Sequence, residues 1–139
     1  MSVINQTQWA GNYQAAGISA ITMWVNNLGS TDLNLRLLVA VATPPGFPPS
    51  DSAISTVPVF LPAGSGWTEV IFPITPDKLT ALAGTAVKAL SNAAEWRILH
   101  NPNPTFPPPA IAAKLGVDNI KAVGRLPGRP FLPLLLLDQ

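Results

Sequence analysis

The sequence predicts an all-β protein, a jelly-roll-like β-sandwich with one short crossover helix. Three observations predict it. Apolar runs are short, and several alternate with polar residues at the period of a half-buried strand. Clusters of turn formers cut them apart, with 16 Pro and 10 Gly in 139 residues. No apolar stripe at helical spacing is long enough for an α/β architecture.

Ile18 to Asn26 is the first alternating run, with Ile21, Met23 and Val25 on one face and Thr22, Trp24 and Asn26 on the other. Asn27-Leu28-Gly29-Ser30 ends it with turn chemistry. In Asp32 to Thr43, Leu33, Leu35, Leu37, Val39 and Val41 share a face. The opposite face begins with Asn34 and Arg36 and becomes apolar at Leu38, Ala40 and Ala42, so its second half is expected to be covered on both sides. Pro44 to Ser50 cannot pair in a ladder, because proline lacks the donor. Ile54 to Leu61 reads as a third strand, placed at an edge by Pro58. Trp67 to Ile74 reads as a fourth, after the turn Pro62 to Gly66.

The period then changes. Thr75-Pro76-Asp77 offers a hydroxyl N-cap, a proline at the first helical position and an acid near the positive end of the dipole. A helix is expected there, with Leu79 and Leu82 as its apolar stripe and Gly84 as its stop. Val87 and Leu90 suggest a second short turn. Ala94 to His100 is a strand with Trp96 and Ile98 inward and Arg97 outward. Asn101 to Pro109 is a second proline-dominated loop, chemically like the first. Ala112 to Val123 is the closing strand, carrying Asp118 where it turns towards the rim. Residues 1–123 read as the sandwich and 124–139 as an apolar Pro/Leu-rich tail.

Composition narrows the function classes. Charged residues are 11% of the chain against about 25% in an average soluble domain, and the net charge is +1. The Lys and Arg are scattered, so there is no basic field for nucleic acid. Cysteine is absent, which excludes disulfides, thiolate metal sites and a cysteine nucleophile. Met1 to Trp9 has neither a basic stretch nor a long apolar run, and is not read as a secretory signal. Phe131 to Leu137 is far shorter than the roughly 20 apolar residues of a membrane span and contains Pro133. It is expected to pack on the domain or on a neighbouring chain; a degraded anchor is the alternative.

Nothing here favours catalysis. His100, the lone histidine, is expected as a hydrogen-bonded core or rim residue. The acids are scattered at strand ends and turns, with no facing carboxylate pair of the glycosidase kind. Aromatic residues are the better ligand candidates. Trp96 is expected in the core and Trp67 at its edge, while Trp9 fits either place. Trp24, on a polar face, is expected to be exposed and to form a platform with outward Arg36, Arg97 or Glu69 near it. Packing of Trp24 under a loop, the tail or a partner is the plainer alternative. Phe47 and Phe106 on the proline-rich loops form a second candidate patch.

Several segments carry a family resemblance. They are Ala15 to Ile21, Asn27 to Leu33, Leu61 to Trp67, Leu99-His100 and Leu115-Gly116-Val117-Asp118-Asn119-Ile120. In this order, from about Trp9 to Val123, the chain resembles a bacterial exported galactose-binding-like, carbohydrate-binding-module sandwich of the PEP-CTERM surface protein type. The resemblance implies a non-catalytic extracellular binding module directed at carbohydrate. It also suggests a structural calcium at Asp118, although local backbone bonding is the plainer role for that residue. Proteins of that type carry further strands before the segment matching Trp9, and a Pro-Glu-Pro sorting motif after the sandwich. Gly124 to Pro130 stands in place of that motif here. A sandwich short of edge strands exposes unpaired backbone groups. Val3-Ile4, a donated Leu134 to Leu137 strand or a second copy is expected to fill the gap, and hence a homo-oligomer. A self-assembling surface protein, whose apolar faces and tail contact other copies, is the alternative function.

Overall fold

The computed structural model describes residues 2–5, 9–125 and 131–137, with side chains described over 9–124. The Leu126–Pro130 part of the segment standing in place of a sorting motif lies outside the described residues. Two antiparallel sheets form an all-β sandwich, as expected. In the six-stranded sheet the order is β1 (Ser2–Asn5), β8 (Glu95–His100), β3 (Leu33–Ala40), β4 (Ser52–Ser55) and β7 (Leu79–Ala83). A short β5 (Val59–Leu61) also pairs with β3. The four-stranded sheet has the order β10 (Phe131–Leu137), β9 (Leu115–Arg125), β2 (Ile18–Asn27) and β6 (Thr68–Pro73).

Alternation sorts β2 as expected. Ile21, Met23 and Val25 are no more than 2% exposed, while Trp24 is 39% exposed. Their inward face meets Leu33, Leu35, Leu37 and Val39 of β3 and Val70 and Phe72 of β6 in one core. Trp9 and Tyr13 also enter that core, and the Tyr13 hydroxyl donates to the Trp9 carbonyl at 2.7 Å. β3 is covered on both sides. Leu38 and Ala40 join Ile54 and Leu99 in a second, smaller apolar cluster on the outer side of the six-stranded sheet.

The expected helix after Thr75 is not there. Pro76–Lys78 forms a single 3₁₀ turn, Thr75 makes no side-chain cap, and Leu79–Ala83 continues as β7 beside β4. Leucines three apart share a helix face but point to opposite faces of a strand. Leu79 enters the main core and Leu82 the outer cluster. Each cluster gains a leucine that a helix would have given to one side only. The true α1 is Ala86–Ser91, where the second turn was expected. It is capped by Thr85, whose Oγ1 accepts from the Lys88 N–H at 3.1 Å. Gly84 precedes it at φ +58°, where any Cβ would collide with the Asp51 carboxylate.

The single strand read over Ile54 to Leu61 is two strands, broken around Pro58, and both pair with β3. Ser2–Asn5 pairs with β8, and Phe131–Leu137 pairs with β9. Both segments named as candidates to fill a missing edge are therefore strands of the chain's own sheets. No described helix is long and apolar enough to cross a membrane.

Candidate functional site

Among the described residues nothing covers the Trp24 region on the outer face of the four-stranded sheet, and two indoles are exposed there. Trp24 stands at the centre of that face. Cross-strand pairing places Glu69 of β6 on one side of it and Asp118 of β9 on the other. Trp67 lies just before β6 and is 53% exposed, not at the core edge where it was expected. Its ring reaches across the sheet to Gly116 of β9. A Cβ at Gly116 would sit 3.0 Å from the tip of that ring, so the missing side chain makes the seat. Trp24, Trp67, Asp118 and Asn119 line a shallow depression of about 230 Å³.

A bulge in β9 assembles the polar part of this site. The step from Thr22 to Trp24 on β2 is matched by the longer step from Lys121 to Asp118 on β9. Asn119 absorbs the extra residue at φ 53°, a conformation that Asn tolerates better than most residues. Asp118 and Asn119 are consequently both exposed beside Trp24. The Asp118 carboxylate accepts from the Asn119 N–H at 2.8 Å, the local backbone bond expected of it. Among the described residues no three His, Asp or Glu side chains gather as a metal site.

The other expected ligand residues lie across the molecule. Arg36 was expected outward near Trp24. It does point outward, but from β3 in the opposite sheet, and it is 2% exposed. The proline-rich loop after β8 folds over it. Its Nε donates to the Asn101 carbonyl and its Nη2 to that of Pro102, each at 2.8 Å. Its Nη1 donates to the carbonyls of Ser55 and Thr56 at 2.7 and 2.9 Å. Burial draws its pKa below the ordinary arginine value. Arg36 is therefore a clamp on backbone and no part of an exposed platform.

Arg97, Phe47 and Phe106 do come together, around a groove between the two proline-rich loops. Its two lobes, of about 340 and 430 Å³, share Ala40, Pro49, Glu95 and Arg97. The two charged side chains there already pair with each other. Arg97 Nε meets Glu95 Oε2 at 2.7 Å, and its guanidinium carbon lies 5.3 Å from the centre of the Phe106 ring. Phe47 is 67% exposed at the lip.

His100 is buried, and its Nδ1 accepts from the Asn34 N–H at 2.8 Å. Burial holds its pKa below the ordinary value. Trp96 is in the core as expected, tilted against Tyr13 with 5.0 Å between ring centres. Of the three neighbours expected for Trp24, Glu69 is present. Trp67 and Asn119 were missed as members of the site. Alternation could have found Trp67, since it falls in phase with outward Glu69 and Ile71. The Asp-Asn pair inside a strand was the signal for the bulge. No family model, curated protein or solved structure matches the chain, so the site is read from its own geometry.

Proposed function

We propose that this chain is a non-catalytic binding module directed at carbohydrate, and that the Trp24–Trp67 depression is its binding surface. One observation carries the reading. Two large indoles are left in solvent on an open sheet face, with hydrogen-bonding side chains beside them. Sugars offer apolar ring faces that pack on indole and hydroxyls that need polar partners. Glu69, Asp118 and Asn119 supply such partners. The groove on the other face supports the reading less well, because Arg97 is already engaged by Glu95 and Phe106. The resemblance to exported surface modules supports an extracellular place of action.

Ile71, 59% exposed on the same face, favours a second reading. With the two indoles it makes an apolar patch on which another copy of the chain could sit. Titration against a panel of soluble oligosaccharides, alongside mass by light scattering, separates the two. A glycan module binds at least one oligosaccharide and loses about tenfold or more in affinity on Trp24→Ala or Trp67→Ala. A self-assembling face instead gives a multimer that dissociates on the same substitutions. A monomer that binds no sugar on the panel refutes both.

A further inference from the structure

We infer that the glycan is cationic, an oligomer or polymer of free amino sugars. This rests on the platform reading above and assigns its ligand class. Trp24 has a carboxylate on each cross-strand side, Glu69 on β6 and Asp118 on β9. With neighbouring strands about 4.8 Å apart, the two carboxylates bracket the indole over roughly 10 Å. Neither has an ion-pair partner among the described residues, where the one ion pair is Arg97–Glu95 on the far side of the sandwich. Asp118 spends one oxygen on the Asn119 N–H. Lys121 stands one cross-strand pair further along, opposite Thr22. The patch thus carries two acids to one base in a chain whose net charge is +1.

On the far side of the sandwich the largely buried Glu95 is neutralised by Arg97, whose guanidinium lies over the Phe106 ring. At Trp24 no described cation pairs with either carboxylate. A protonated amine set over the indole face gains from the ring quadrupole and from both flanking carboxylates. A neutral sugar gains from the ring and from hydroxyl hydrogen bonds but not from charge attraction, and an anionic one is repelled. Trp67, whose ring tip is seated against Gly116, offers a stacking surface for a further sugar ring.

The test compares two ligands with one skeleton: a chitosan oligosaccharide and its fully N-acetylated counterpart, titrated at mildly acidic pH. Each exposed carboxylate is expected to contribute about two- to fivefold, so the amine form should bind roughly four- to twenty-five-fold tighter. Glu69→Gln and Asp118→Asn, which keep a hydrogen-bonding amide, should each lower affinity for the amine form by about two- to fivefold more than for the acetylated form, and so narrow the difference between the two. Added salt should narrow the difference. Equal binding of both forms through Trp24 would overturn the cationic assignment and leave the glycan platform standing. Tight amine binding untouched when Glu69→Gln and Asp118→Asn are combined would overturn it too. Failure of both ligands and of every neutral sugar would remove the platform with it.

Discussion

The two outer faces of this sandwich began from similar material and ended differently. The six-stranded sheet puts Arg36, Leu38 and Ala40 on its outer side, and Leu82, Ser55-Thr56 and the proline-rich loops come down around them. The four-stranded sheet puts Thr22, Trp24 and Asp118 on its outer side, and Trp24 and Asp118 remain in solvent. The difference lies in which neighbours reach over. Proline loops cannot pair into a ladder, so they fold back and roof the nearest face. The roofed face gives a buried arginine that binds carbonyls. The open face gives indoles in solvent and carboxylates with no ion-pair partner among the described residues.

The roofed face should be the fragile one. Arg36→Met removes a guanidinium that donates to the carbonyls of Ser55, Thr56, Asn101 and Pro102. Each buried acceptor left without a donor costs about 1–3 kcal/mol, partly recovered where the loop can open to water. A net loss of about 3 kcal/mol or more is expected in urea unfolding, with earlier proteolysis between Asn101 and Pro109. Arg36→Lys should recover little, since one ammonium cannot span four carbonyls on three sides. A variant as stable as the parent would show that the roof does not depend on the arginine.

That contrast also marks how far the sequence could be read. Period-two alternation in β2 correctly separated Ile21, Met23 and Val25 from Trp24, because inside and outside there differ in polarity. It placed Arg36 outward just as correctly, yet missed its burial. Outward means away from the core, and whether a loop then covers the position depends on a segment some 65 residues later in the chain. The Leu79–Leu82 spacing misled for a related reason. Two apolar clusters, one on each side of the sheet, make both faces of a strand apolar, and that pattern imitates a helical stripe. The Trp24–Trp67–Asp118 depression needed cross-strand register, and the register includes a bulge at Asn119 that alternation by itself does not contain.

The open face should be nearly indifferent to stability and sensitive in binding. Trp24→Ala and Trp67→Ala each remove a partly exposed ring, and a loss of about 1 kcal/mol or less is expected, well below that of Arg36→Met. Affinity for the sugar should fall about tenfold or more. Gly116→Val sharpens the point without touching either indole. Its side chain would occupy the seat of the Trp67 ring, where even a Cβ is at 3.0 Å. The expected result is a shifted tryptophan emission and weakened binding, with stability changed by about 1 kcal/mol. Unchanged emission and binding would mean that Trp67 is not held by that seat.

The smallest expected effect is a pH dependence, and it belongs to the roofed sheet. His100 is buried with Nδ1 accepting from the Asn34 N–H, so the folded chain favours the neutral ring. Its folded pKa lies below the ordinary 6.5, chiefly because burial disfavours the cation. On acidification the unfolded chain takes up this proton first. Stability is therefore full above about pH 6.5, falls as the pH drops below it, and stops falling on this account once the folded histidine also protonates. His100→Asn keeps an acceptor near Nδ1 and removes the titration. Urea midpoints measured from pH 7.5 down to pH 5 should decline less steeply in that variant than in the parent. Parallel declines would assign the acid sensitivity to the carboxylates, and would leave His100 as a hydrogen-bond acceptor with no part in the pH response.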